Sequence, residues 1–330
     1  MTTASRQISI DTIRDAAGAV YAAAVRTPLV RLDVPGDVRR GTRTGAPVEL
    51  YLKLETLQPI GSFKIRGAYN AMRQLSPAQL AQGVWTVSAG NAAQGVALAA
   101  RQVGATCSVM VIETAPEAKI EAIRRLGADI VTVTWEEAWQ TVERHRSDRM
   151  EGVFIHPFDG DAFISGNGTV GLEIVEDLPD VDAVVAAIGG GGLLSGIGCA
   201  LRALRPQAKV YAAEPETAAP LAASLAAGGP TYFANWQASF VDGAGGKSVI
   251  PTMWPLLSRW VDGSIVVTLD EVTQAMRTVA ERAHVIAEGA AGCAVAAALS
   301  GQAGAGKVVA VVSGGNIDLS KFASLIGAGQ

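Results

Sequence analysis

Apolar positions recur at helical spacing from Ile8 to Ala24, with Asp11 placed to cap that helix and Arg26-Thr27-Pro28-Leu29 to end it. Val48 to Glu55 alternates apolar and polar residues, as a strand does. The loop Gln58-Pro59-Ile60-Gly61-Ser62 then leads into a helix from about Phe63 to Gln74. Gly83 to Ser88 is a short apolar strand that runs into Ala89-Gly90-Asn91, and a helix from about Ala93 to Val103 follows. The same alternation gives a strand at Cys107 to Ile112, a helix at Pro116 to Leu126 and a strand at Asp129 to Thr134. Short strands separated by helical patterns predict a parallel sheet with crossover helices. His156-Pro157-Phe158-Asp159 reads as a boundary, after which the grammar repeats. Val181 to Ile188 is a strand, Leu193 to Leu204 a helix, Lys209 to Ala213 a strand and Val308 to Val312 a late buried strand. Ala218 to Gly229 reads as helix and turn rather than linker, and no short-period repeat interrupts the pattern.

Composition adds limits to this α/β picture. A length of 330 residues suggests about two domains. The chain is 49% hydrophobic and 18% charged with few aromatics, enough apolar material for tightly packed helices on sheet. A net charge of −4 without a basic face argues against nucleic acid as a partner. The first residues lack the charged and apolar regions of a signal peptide, and no uninterrupted apolar run is long enough for a bilayer. Cys107, Cys199 and Cys293 stand far apart in apolar surroundings, so buried thiols and a cytoplasmic protein are expected, rather than disulfides or a metal knuckle.

Three glycine-bearing turns follow strands. Gly189-Gly190-Gly191-Gly192-Leu193-Leu194-Ser195-Gly196 sits between a buried strand and an apolar helix. Successive glycines let backbone N–H groups converge, and the helix N-terminus adds positive dipole, which makes a cradle for phosphate. It is not a Walker A loop, since no Gly-Lys-Ser/Thr follows. Ser313-Gly314-Gly315-Asn316 lies at the carboxyl end of a strand, where open α/β sheets bind ligands, although alone it reads equally as an ordinary turn. Backbone N–H groups of Ser88-Ala89-Gly90-Asn91-Ala92 could hold a carboxylate. Lys64 begins a helix after Gly61, Ser62 and Phe63. A buried, dipole-positive place would lower its pKa and free the amine for imine chemistry, whereas an isolated lysine is ordinarily a solvated one. His145, His156 and His284 show no metal or triad spacing and read as structural, and Glu136, Glu137 and Glu216 as solvated.

In this order the pieces resemble the serine/threonine dehydratase branch of the fold-type II pyridoxal-phosphate enzymes. The resemblance starts at Arg26-Thr27-Pro28-Leu29 and takes in Lys53-Leu54-Glu55 and Gly61 to Ala68. It continues through Ser88 to Asn91, Gly166-Asn167-Gly168-Thr169, the four glycines and Ser313 to Asn316. It implies a two-domain, tryptophan synthase β-like α/β fold. Residues 1–75 and 159–330 would form a large cofactor domain, and 76–158 a small inserted one. It implies pyridoxal 5'-phosphate on Lys64, which would then take the substrate α-proton. Phe63 would line the ring and Asn91 bond its hydroxyl. Gly189, Gly190, Gly191, Gly192 and Leu193 would hold the phosphate, Ser313 would face the pyridine nitrogen, and Gly314 and Glu288 would lie near the cofactor. Ser88, Ala89, Gly90, Asn91 and Ala92 would bind the substrate carboxylate. A serine at the ring nitrogen makes the ring a weaker electron sink, which suits β-elimination better than transamination. The implied reaction is dehydration and deamination of a β-hydroxy amino acid such as L-threonine or L-serine to a 2-oxo acid and ammonia, by a homodimer. The chain stops soon after Ser313, so no C-terminal regulatory domain is expected.

Three departures from the family pattern reshape those expectations. Ala92 stands where a histidine is usual, which enlarges the pocket and leaves 3-hydroxyaspartate or phenylserine open as the substrate. Ala89 stands where racemases of this type carry a serine, which lowers the racemase reading. Glu214 and Ala218 match two positions of a divalent-metal site, but Pro220 stands at the third and offers no ligand. Other readings are β-replacement or racemisation on the same cofactor, and a non-catalytic protein that holds a nucleotide or phosphate at the four glycines.

Overall fold

The computed structural model describes residues 6–33 and 48–327, so 1–5, 34–47 and 328–330 of the expected large domain lie outside the described residues. In chain order the elements are α1 (Ile10–Val20), β1 (Leu29–Leu32), β2 (Val48–Lys53), α2 (Lys64–Met72), α3 (Pro77–Ala81), β3 (Val84–Val87), α4 (Asn91–Val103) and β4 (Cys107–Ile112). Next come α5 (Glu117–Arg124), β5 (Asp129–Val133), α6 (Trp135–Arg144), β6 (Val153–Phe154), α7 (Asp161–Asp177), β7 (Ala183–Ala187) and α8 (Gly192–Leu204). The rest are β8 (Lys209–Pro215), α9 (Pro220–Ala227), α10 (Trp254–Trp260), β9 (Gly263–Val267), α11 (Leu269–Ala283), α12 (Gly289–Leu299), β10 (Gly306–Val311) and α13 (Leu319–Gly327).

These strands make two sheets. One has the order β1-β2-β10-β7-β8-β9 and is parallel except for β1, which runs antiparallel to β2. The other is β5-β4-β3-β6, parallel throughout and built wholly from chain between Val84 and Phe154. The larger sheet is buried on both faces. Val308 and Ala310 of β10 join the apolar layer under α11 and α12, while Val309 and Val311 join the layer under α7, α8 and α10. That explains why the strand reads as a continuous apolar run rather than an alternating one. The smaller sheet is also packed on both sides: Val109 and Val111 of β4 face α2 and α4, and Met110 faces Ala138 and Val142 of α6.

The element boundaries differ from the sequence reading in ways with local causes. Ser9, not Asp11, caps α1, because its side chain accepts from Thr12 N while the Thr12 hydroxyl accepts from Ser9 N. Asp11 sits in the first turn instead, where it complements the dipole. α4 begins at Asn91, two residues earlier than expected, so the carboxylate loop includes the first turn of a helix. Gly166 to Thr169 lies inside α7, a helix the sequence reading did not place, where a Cβ on Gly168 would fall 2.6 Å from the Ile13 side chain and 3.1 Å from Gly196 O. Glycine there lets α1, α7 and α8 approach closely beneath the sheet.

Candidate active site

A cavity of about 540 Å³ lies between the two sheets. It is lined by the carboxyl end of β3, the turn after β7, the start of α2 and the turn after β10. The location is the one that open parallel sheets offer to ligands.

Lys64 is the first residue of α2, and its Nζ donates to Pro157 O at 2.7 Å. The rings of Phe63 and Phe163 lie 5.2 and 5.7 Å from the nitrogen. The side chain opens on to the cavity, yet protein surrounds it deeply. Burial brings its pKa down to about 8, against the smaller opposing pull of Glu288. A fraction of neutral amine is therefore present near neutral pH, as imine chemistry requires.

The turn Gly189 to Gly192 forms the cavity wall where β7 hands over to α8. Gly191 caps α8 at φ +91°, a conformation that favours glycine. A Cβ on Gly190 would lie 2.0 Å from the Phe158 ring, and one on Gly192 would lie 2.1 Å from Phe158 O. Backbone amides and a helix N-terminus are thus presented without side chains in the way. The buried side chains of Asn167, whose Nδ2 lies 3.5 Å from a Cβ placed on Gly192, and of Ser195 have no hydrogen-bond partner among the described residues. A cradle that side chains would fill, with buried polar atoms beside it, fits the phosphate of pyridoxal phosphate.

Asn91 is held from two sides. Its Oδ1 accepts from Asn316 Nδ2 at 2.7 Å, and its Nδ2 donates to Glu288 Oε1 at 2.8 Å. Asn316 Nδ2 also donates to Ile60 O at 2.7 Å. Burial first, then the nearby Asp242 charge, push the Glu288 carboxyl up to about 7, while Asn91, Lys119 and Lys64 pull the other way. Ser313 is buried in the cavity wall, its carbonyl accepting from Phe63 N at 3.1 Å, and Gly315 N donates to Gly61 O. The turn after β10 is thereby laced to the loop that precedes Lys64.

Phe63, Lys64, Ser88 to Ala92, Gly189 to Leu193, Glu288 and Ser313 all line this one cavity. Gly314 sits just behind, where a Cβ would fall 2.4 Å from Glu288 Oε1. Sequence reasoning missed Asn316 as the clamp on Asn91, Pro157 as the lysine's acceptor and Phe158 as the ring against Gly190. Asn316 stood in a motif already noticed, whereas the roles of Pro157 and Phe158 depend on contacts that leave no local pattern.

Glu214 lies elsewhere, at the end of β8. Its oxygens accept from Leu221 N at 2.7 Å, Ala222 N at 2.8 Å and the Ser264 hydroxyl at 2.5 Å. Pro220 opens α9 at its first position. Burial raises the Glu214 pKa against those three hydrogen bonds. A carboxylate committed to capping α9, beside a proline, does not fit a divalent cation, and no step is routed through one. His156 is buried near Lys64, with Nδ1 accepting from Asp159 N at 2.9 Å. Burial lowers its pKa to about 4, so it is a neutral structural residue that orders the Phe158 turn.

The family model described as pyridoxal-phosphate dependent enzyme matches residues 20–314. The L-threonine ammonia-lyase of Thermotoga maritima is 38% identical over 325 residues, covering 98% of this chain and 79% of that one. The catabolic L-threonine dehydratase of Escherichia coli K12 is 37% identical over 290 residues, 84% of this chain and 86% of the other. Among solved structures, the processed threonine deaminase isoform 2 of Solanum lycopersicum superposes with a TM-score of 0.84 at 32% identity, covering 97% of this chain and 93% of that one. Maize serine racemase superposes at 0.86 and 33% identity, with 96% of each chain covered.

Proposed function

The chain belongs to the pyridoxal-phosphate dependent enzymes, and on that premise we propose that it is an ammonia-lyase acting on a small β-hydroxy α-amino acid, of which L-threonine and L-serine are the simplest. The observation that carries the reading is the meeting of Lys64, the four-glycine turn and the Asn91–Glu288 pair on a single cavity. Pyridoxal phosphate, when bound, supplies an aldehyde for imine formation and a ring that draws electrons from the substrate Cα.

The remaining work falls to the protein. Gly189 to Leu193 would hold the phosphate on backbone amides and the N-terminal dipole of α8. Phe63 would line the ring, Asn91 would bond its hydroxyl and Ser313, with Gly314 behind it, would face its nitrogen. The amides of Ser88 to Ala92, at the start of α4, would hold the substrate carboxylate. Lys64 Nζ would take the α-proton, and its lowered pKa suits it to that exchange near neutral pH. We assign residues 76–158 to a small body that closes on a large one made of 1–75 and 159–330, because every strand of the smaller sheet falls between Val84 and Phe154. Closure would exclude water from the cavity. We also take the enzyme to be a cytoplasmic homodimer. The cytoplasmic part is supported by three buried cysteines, Cys107, Cys199 and Cys293, that form no disulfide. The dimer is carried by the family resemblance alone.

Ala89 weighs against racemisation, since it puts no proton donor at its place in the cavity wall. The test is to incubate the cofactor-loaded protein with L-serine and L-threonine and to measure 2-oxo acid, D-isomer and sulfide-dependent product. Wild type is expected to yield 2-oxo acid. Lys64→Ala is expected to lose the absorption of lysine-bound cofactor together with at least about a thousandfold of the activity, since it removes both the anchor and the base. A variant that kept both, or a wild type forming no 2-oxo acid from any β-hydroxy amino acid, would sink the proposal.

A further inference from the structure

The cavity has a neighbour. Beside Ser88 and Ala89 a side lobe of about 160 Å³ adjoins it. Val87, Ala89, Ile112, Ala138, Trp139 and Val142 wall the lobe, and the fully buried Met110 closes its back. Residues 87–89, Ile112, Trp139 and Val142 line both spaces, so the two adjoin along these side chains. No charged side chain is among the lining residues. Two of its polar groups are already engaged: the Ser88 hydroxyl accepts from Gly90 N, and Trp139 Nε1 donates to Glu143 Oε1 at 2.9 Å. At the rim the Trp135 ring stacks on Trp139 at 5.9 Å, with the planes 3° apart.

We propose that this lobe receives the β-substituent of the substrate, and that the enzyme prefers β-hydroxy α-amino acids whose β-carbon carries an aryl or branched apolar group, with 3-phenylserine as the model compound. The inference rests on the β-elimination reading and names its substrate class. A substrate with its carboxylate on the Ser88 to Ala92 amides and its amino group toward Lys64 has its β-carbon as the remaining branch. The lobe opens against Ala89 of that same loop. Serine and threonine carry only hydrogen or methyl at the β-carbon and would leave an apolar space empty. By volume, an apolar space of about 150 Å³ is large enough to take up benzene. Small side chains keep this one open, since Ala89 and Ala138 contribute only a Cβ each. An acidic β-substituent would find no cation among the lining residues. Lys247 is engaged by two rings at the rim, with its Nζ 4.5 Å from the Trp135 ring and 4.4 Å from the Trp236 ring.

The reaction balances without an external oxidant. The Cα–H and Cβ–O bonds break, and the hydroxyl leaves as water with one proton. The resulting enamine tautomerises to an imine, which takes up water and releases ammonia. From 3-phenylserine the product is phenylpyruvate.

The experiment measures kcat/KM of the holoenzyme for L-threonine, L-serine, 3-phenylserine and 3-hydroxyaspartate by 2-oxo acid formation. 3-Phenylserine is expected to exceed L-threonine at least tenfold, the scale on which an apolar pocket discriminates methylene-sized differences. Ala138→Leu fills the lobe and is expected to lower the ratio of the 3-phenylserine to the L-threonine value at least tenfold. That ratio does not depend on the fraction of protein folded, and the wild-type panel decides the matter if the variant does not fold. Threonine or serine turned over as well as 3-phenylserine, or 3-hydroxyaspartate preferred to it, overturns the lobe assignment and leaves β-elimination standing. No 2-oxo acid from any of the four overturns both.

Discussion

Burial moves Lys64 and Glu288 in the same chemical direction, toward neutrality. The lysine falls to about 8 and the glutamate rises to about 7, so near pH 7 this pair shares less charge than its formal count. The consequence for stability has a sign. A carboxyl raised from 4.5 to about 7 contributes stability that is fully present below 4.5 and is lost as pH rises through 7. Glu288→Gln keeps an acceptor for Asn91 and removes the titration. In protein freed of cofactor, the wild type is expected to lose about 3 kcal/mol between pH 4.5 and 8 that the glutamine variant retains, following about 1.4 kcal/mol per pKa unit. Denaturant unfolding at the two pH values measures this, and parallel pH profiles for the two proteins would refute it. At this scale Lys64 and Asn91 were singled out by the ordered motifs of the family resemblance, since a lone lysine reads as a solvated one. The sequence did not reveal that Asn316 clamps Asn91, since that contact joins residues 225 positions apart and only the folded sheet brings them together.

The helix that presents Lys64 is anchored two residues further on. Arg66 on α2 is fully buried and bonds Glu55 Oε2 at 2.7 Å, Glu173 Oε1 at 2.6 Å and the Thr169 hydroxyl at 3.0 Å. Lys53 at the end of β2 reaches Glu173 Oε2 at 2.6 Å and Thr27 O at 2.6 Å. These two cations and two carboxylates tie β2, α2 and α7 together beneath the cavity, and Asp177 lies 3.8 Å from Lys53 Nζ. Burial alone would raise the Glu173 pKa, but Arg66 and then Lys53 hold it below the usual value. Arg66→Ala leaves Glu55 without a cation and Glu173 with Lys53 alone, and is expected to cost about 3–5 kcal/mol, the penalty for breaking a buried pair rather than exchanging it for apolar residues. Chemical denaturation reads that loss, and a cost under about 1 kcal/mol, as for a surface pair, would mean the cluster is hydrated. Most elements up to β5, together with β7, α8, β8 and β10, were legible, because buried parallel strands read as apolar runs and their crossover helices keep helical spacing, whereas α6, β6, α10, β9 and α11 to α13 were not read. β4 was found residue for residue. α7 was not read as a helix, because Gly166 and Gly168 look like loop residues until α2 and α8 are seen pressed against them.

Across the whole molecule the two sheets meet over the cavity, and few side chains reach from one to the other. Lys119 on α5, beside the smaller sheet, pairs with Asp242 Oδ2 at 2.5 Å, in the short turn that precedes α10. Both side chains also line the cavity, and Asp242 adds to the raised pKa of Glu288. Lys247, from the same loop, lies between Trp236 and Trp135 of α6. The loop from about 230 to 250 therefore grips the smaller sheet's helices at two places. None of this was visible in the sequence, because exposed lysines and aspartates follow no pattern and the pairing depends on how the sheets face each other. An exposed ion pair contributes at most about 1 kcal/mol, so it can bias closure over the cavity without locking it. One kcal/mol corresponds to about a fivefold change in an equilibrium constant. Asp242→Asn is expected to raise KM for the amino-acid substrate two- to fivefold at low ionic strength, with little change in unfolding free energy. At about 1 M salt, where the screening length falls to about 3 Å, wild type and variant are expected to converge. A KM ratio that stayed constant from low to high salt would assign Asp242 a direct contact with substrate in place of this closing role.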